Sequence, residues 1–271
     1  MATELFQTIT HLTSNGAAKS EIGGKQLTLA LGGLYIASTT NAAKPLLVWE
    51  EEKGYARYYI PTESLHDSIK ALLAESPSTN GHAGPKVKLV NVETLTSKGG
   101  EPQALIERLT VGSKSTTWAR FVDGPFKDFI RFERNEIDDW FENGALFAGI
   151  KNPYKRIDTA AVSHHIVVKI DGEKVAESNV AVLLNETGLK ESYYLPATSI
   201  LDWGAVTKSD LRTACPYKGE AWYLSLTVGG KRHENYVWYY QYPTHESAAL
   251  QGLVSFYNKE NVDILVDGVK I

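Results

Sequence analysis

The chain has 271 residues and a formal net charge of -4, a length that allows one large domain or two small ones. Its acidic balance argues against a nucleic-acid partner, which asks for a basic face. The single cysteine, Cys215, excludes an intrachain disulfide and a cysteine-rich zinc site, and it fits a reducing, cytoplasmic setting.

The opening residues, Met1 to Gly16, mix polar and apolar types without a basic start, and do not read as a secretory signal. No apolar run of about 18 residues exists, so no membrane span is expected. An internal repeat then emerges at long period. Gly33–Thr39 parallels Gly172–Ser178, Leu47–Glu50 parallels Leu183–Glu186, and Tyr58–Pro61 parallels Tyr193–Pro196. Further on, Leu109–Gly112 parallels Leu226–Gly229. Ile130–Phe132 and Ile137-Asp138 parallel Val254–Phe256 and Val262-Asp263. The order is kept throughout, which coincidence between unrelated strands does not readily give.

The first copy carries extra residues between Leu65 and Val87. Within them, Leu65, Ile69, Leu72 and Leu73 share one helical face, predicting a helix over Glu63–Glu75. The turn-forming stretch Ser76–Pro85 predicts an exposed loop. Elsewhere the pattern is strand-like. Asp171-Gly172 and Gly229-Gly230 each join two β-prone runs and predict hairpins, and Asp263–Ile271 predicts a third. The expected architecture is mainly β: two tandem small β domains, sandwich, barrel or roll, with few short helices. They fall at residues 1–150 and 151–271.

Chemistry-bearing residues concentrate in the second copy. Arg212-Thr-Ala-Cys215-Pro-Tyr217-Lys218-Gly-Glu-Ala-Trp222 brings a thiol, a phenol and cations close together. A nearby Lys218 or Arg212 would favour the reactive thiolate. The alternative is an inert cysteine at a strand-entry turn. A second cluster sets Glu186 beside Leu183 and Leu184 and ahead of Tyr193 and Tyr194. Burial there would raise the Glu186 pKa and suit it to acid–base work. Against this, Glu50 and Tyr58-Tyr59 recur in the first copy, which favours a shared structural role. In Tyr236–Tyr240, strand alternation puts Trp238 and Tyr240 on one face, as pocket lining or as core. The histidines show no metal-ligand spacing, and no phosphate loop or nucleophile elbow is present. No metal or cofactor is expected.

These segments resemble the domain of unknown function 427 family in a tandem, two-copy form. The likeness rests on Asp171-Gly172 with Val175–Ser178, Glu186–Leu189, Tyr193–Pro196, Thr213–Ala221, Val237-Trp238 and Val262–Gly268, and on the junction Asn152–Asp158. It implies compact, mostly β domains similar to the β-tent group. The paired zinc-binding cysteines of many β-tent proteins are absent, so zinc does not carry over. The nucleotidyltransferase pattern sometimes attached to the family is absent too, since Gly112-Ser113 leads only to Asp123-Gly124.

Three readings of function follow, the third being a mainly structural protein whose Cys215–Gly219 stretch is simply a strand-entry turn. The first is a small-molecule enzyme of isomerase, lyase, cyclase or hydrolase type. Cys215, Lys218 and Glu186 would do its chemistry, and Arg212, Tyr193, Tyr194, Tyr217, Trp222 and Trp238 would bind ligand. The alternative is a non-catalytic module that holds a small ligand or peptide in an aromatic pocket. Either partner is a small molecule or peptide, neither nucleic acid nor membrane.

Overall fold

The computed structural model describes residues 2–51, 55–74, 86–146 and 149–271. It is mainly β, with several antiparallel sheets, and divides into two compact units, Met1–Ile150 and Lys151–Ile271. No helix among the described residues is long and apolar enough to cross a membrane.

The first unit opens with helix α1 (Ala2–Asn15). Its strands are β1 (Lys19–Ile22), β2 (Leu27–Leu31), β3 (Leu34–Ser38), β4 (Leu46–Trp49), β5 (Ala56–Pro61), β6 (Val87–Thr96), β7 (Pro102–Val111), β8 (Lys114–Phe121), β9 (Phe129–Phe132), β10 (Asp139–Glu142) and β11 (Ala145–Leu146), with helix α2 (Asp67–Leu73) after β5. A large sheet runs β1-β4-β5-β9-β8-β7-β6 and a small one β11-β10-β2-β3. Leu27, Leu29 and Leu31 of the small sheet meet Trp49, Ile60, Val111, Trp118 and Ile130 of the large one in the main core. On its other face the large sheet is covered by Leu5, Ile9 and Leu12 of α1. Such spacing gives a helix one apolar stripe. A free helix of this length is marginal in water. Burial of these three side chains, roughly 1.5–3 kcal/mol each, holds it in place.

The helix expected over Glu63–Glu75 is shorter than its apolar spacing suggests. Pro61 precedes a single 3-10 turn at Thr62–Ser64, and α2 begins at Asp67, where the His66 ring accepts a hydrogen bond from the Ser68 amide at 3.2 Å. Ile69 is buried, but Leu72 is exposed. The loop expected over Ser76–Pro85 lies outside the described residues.

The second unit has β12 (Ile157–Val162), β13 (Ile166–Ile170), β14 (Glu173–Ser178), β15 (Ala181–Glu186), β16 (Ser192–Tyr194), β17 (Val206–Cys215), β18 (Gly219–Val228), β19 (Lys231–Pro243), β20 (Val254–Phe256), β21 (Val262–Val266) and β22 (Val269–Lys270). Its small sheet runs β14-β13-β21-β22. The sheets β12-β15-β16 and β20-β19-β18-β17 are joined by the Leu195–Val254 backbone bridge, whose two hydrogen bonds are 2.8 and 2.9 Å long. The hairpins at Asp171-Gly172, Gly229-Gly230 and Asp267-Gly268 all form, each with positive φ at both turn residues, as primed two-residue turns require.

Strand for strand, the two units follow one order. β1-β4-β5-β9-β8-β7-β6 is matched by β12-β15-β16-β20-β19-β18-β17, and β11-β10-β2-β3 by β22-β21-β13-β14. Details coincide as well. The β2–β3 ladder slips at Leu29/Ala30 and the β13–β14 ladder at Val168/Lys169. The isolated bridges Ala37–Leu65 and Ala176–Ile200 occupy the same place. In the small sheets, Asp139 faces Ala30 while Asp263 faces Lys169. The counterpart of Asp263 in the first unit is therefore Asp139, one residue on from the match the sequence suggests.

Candidate functional site

The outer face of the second unit's large sheet is built differently from that of the first. Registers identify the counterparts. Ile106 pairs with Ala119, and Ala119 with Arg131; Tyr223 pairs with Trp238, and Trp238 with Ser255. Ala104 faces Phe121 as Ala221 faces Tyr240. Where the first unit has Ile106, Ala119 and Phe121 beneath α1, the second thus has Tyr223, Trp238 and Tyr240. Its short helical segment His245–Leu250 contributes Leu250 to this face. The remainder is a cavity of about 250 Å3, lined by Leu184, Glu186, Leu189, Lys190, Ser192, Tyr194, Lys218, Tyr223, Trp238, Tyr240 and Tyr257.

Aromatic rings form most of its wall. Tyr223 and Tyr257 stack at 6.3 Å with an 8° interplanar angle, and Trp238 lies 4.6 Å from Tyr257. The Trp238 indole N–H donates to the Tyr194 hydroxyl at 3.0 Å. Thr213 and Tyr223 share a hydroxyl hydrogen bond of 2.7 Å. Burial holds the Tyr194 and Tyr240 phenols well above their ordinary range. Burial and the adjoining Tyr223 hydroxyl push Tyr257 up to about 12. At neutral pH these three hydroxyls keep their protons and can donate to a ligand.

The charged corner of the cavity is Glu186. Lys218 hydrogen-bonds one of its carboxylate oxygens, and the Lys155 ammonium lies 2.7 Å from the other. Burial alone would raise this carboxyl, but the hydrogen bonds and charges of Lys155 and Lys218 outweigh it and hold the pKa below its ordinary value. The expectation of a raised Glu186 pKa is thereby corrected: the residue is a locked counter-ion rather than a poised acid. Two ammoniums, one of them brought in by the segment before β12, decide the sign. That segment is itself pinned. The Tyr217 hydroxyl accepts from the Asn152 amide at 2.5 Å, and the Thr187 hydroxyl accepts from the Arg156 amide at 3.0 Å.

Four of the expected residues, Glu186, Lys218, Tyr194 and Trp238, therefore meet in one cavity. Five others do not line it. Cys215 is half-buried at the end of β17, opposite Gly219. The cations expected to favour its thiolate are engaged elsewhere. Lys218 is bound to Glu186, and the Arg212 guanidinium stacks 3.8 Å over Trp222 while donating to the Ser209 and Leu211 carbonyls. Trp222 alternates with Ala221 and Tyr223, so strand pleat turns it from the cavity and towards Tyr239. Tyr193 packs on the inter-sheet core and donates to Glu191 at 3.3 Å. Tyr217 is a buried pin, its carbonyl accepting from the Thr244 and Ser247 hydroxyls. The cavity residues missed in the sequence are chiefly Lys190, Ser192, Tyr223 and Tyr257, and Lys155, which pairs with Glu186 without lining the cavity, was missed as well. For Tyr223 a signal existed, since it alternates with Ala221 in a strand-like run. For Lys155, nothing local pointed to Glu186.

Residues 158–268, within the second unit, match the model of a family described as Domain of unknown function (DUF427). A domain of that family is found there, and one copy is detected. No curated protein matches the chain.

Proposed function

We propose that the second unit binds a small molecule in the cavity over its large sheet. One observation carries the reading. Helix α1 fills this face in the first unit with Leu5, Ile9 and Leu12, whereas the second unit lines the same face with hydroxyl-bearing rings and leaves it open. Concave, mostly apolar sites with a few convergent polar groups are what small ligands use. The identical strand orders support the further reading that the units are two copies of one β-tent-like domain, the first having lost its site to α1. The lone Cys215 suits a cytoplasmic setting.

The mostly buried Lys218–Glu186 pair, which lines the cavity, favours a second reading, a small-molecule enzyme in which Lys218 contacts the reacting group, since charged pairs in a cleft mark candidate active sites. One experiment covers both. The full chain is incubated with a cell metabolite extract, repurified, and its bound compounds are identified by mass spectrometry. Binding predicts a compound recovered unchanged and absent from a Ser192→Trp variant that fills the cavity. Depletion of a compound and appearance of a product, abolished by Lys218→Met, supports the enzyme. Equal capture by the filled variant removes the site.

A further inference from the structure

The cluster at the charged end of the cavity is unbalanced. Lys155 and Lys218 have side chains only 17% and 13% exposed, and both point to one carboxylate, Glu186, itself 6% exposed. Among the described residues, neither lysine has another carboxylate within ion-pair distance. One positive charge is left over. A charge held away from water without a counter-ion is unfavourable.

The geometry directs that excess towards the cavity. The Lys155 ammonium lies 5.5 Å from the Tyr217 ring centre, away from the cavity lining. Lys218 lines the cavity, and the exposed Lys190 adds a second cation at its edge. Tyr223, Trp238 and Tyr257 supply flat ring faces. Ring faces favour stacking against another π system, and an ammonium favours a carboxylate through charge-assisted hydrogen bonds.

We infer that the cavity's ligand is an aromatic carboxylate, its ring held among Tyr223, Trp238 and Tyr257 and its carboxylate on Lys218. This rests on the reading of the cavity as a ligand site, and it names the class of ligand. Lys155 is a positioning residue: it holds Glu186 from behind, so Lys218 keeps donors to spare for the ligand.

The test uses the full chain with nitrogen-15-labelled indoles, the Trp238 signal being assigned with Trp238→Phe. The probes are benzoate and 4-hydroxycinnamate, with benzamide as the uncharged isostere and acetate as the anion without a ring. The aromatic carboxylates shift the Trp238 indole signal saturably, binding about tenfold or more tighter than benzamide or acetate. Lys218→Met leaves Lys155 and Glu186 as a neutral pair and erases the preference over benzamide, while Lys218→Arg keeps it. Benzamide binding as tightly as benzoate overturns the ligand class and leaves the site standing. No Trp238 shift with any probe at millimolar concentration overturns the site itself.

Discussion

Replacing Glu186 by Gln is the sharpest perturbation of the cavity. The carboxylate is 6% exposed and receives an ammonium on each oxygen. Removing its charge leaves two mostly buried lysines with like charges and no counter-ion. Breaking a buried pair in this way costs about 3–5 kcal/mol, a large part of the stability of a small domain. Urea unfolding of the full chain at pH 7, followed through amide signals of β18 and β19, reads the second unit alone. The sign of the pH dependence follows from the lowered pKa. A carboxyl that titrates below its ordinary 4.5 when folded contributes stability above that value and loses it as pH falls through the folded pKa. Wild type therefore weakens on acidification below about pH 4.5, while Glu186→Gln starts weak and lacks this part of the profile. Adding Lys218→Met to Glu186→Gln removes one unpaired charge and recovers part of the loss. A loss under about 1 kcal/mol, the level of an exposed pair, or an unchanged acid profile refutes the argument.

Other substitutions test the frame around the cavity. Gly219 has φ +99°, and an added Cβ would lie 2.9 Å from the Tyr242 carbonyl oxygen; Gly219→Ala destabilises the second unit by about 1–3 kcal/mol, measurable by the same urea assay. Ile9 is fully buried under the first unit's sheet; Ile9→Ala costs about 2–5 kcal/mol, read from first-unit signals in urea, and leaves second-unit signals unmoved. Cys215→Ala removes a thiol that does not line the cavity; it leaves ligand affinity within about twofold by titration, whereas a loss of binding would return the thiol to the site.

Local patterns were legible where backbone chemistry sets structure. Asp171-Gly172 and Gly229-Gly230 announce their hairpins because few residues accept positive φ. The alternation that sends Trp238 and Tyr240 to one face, and Tyr239 to the other, is likewise readable along a single strand. Helix α1 was readable in principle, since Leu5, Ile9 and Leu12 are spaced for one helical stripe. The cavity itself was not legible. It depends on which cation reaches Glu186, and Lys155 arrives from 31 residues upstream while Lys218 comes from a turn 32 residues downstream. Nor does the sequence around Cys215 reveal that its neighbouring cations are already engaged, because Arg212 chooses Trp222 through strand register.

The central claim, an open ligand site in the second unit and a filled one in the first, is met most directly by crystallising the full chain with 4-hydroxycinnamate. The account predicts ligand density stacked against Tyr223, Trp238 and Tyr257, with α1 undisturbed on the first unit's sheet. Density elsewhere on the chain, with the Tyr223–Trp238–Tyr257 cavity empty, would contradict it.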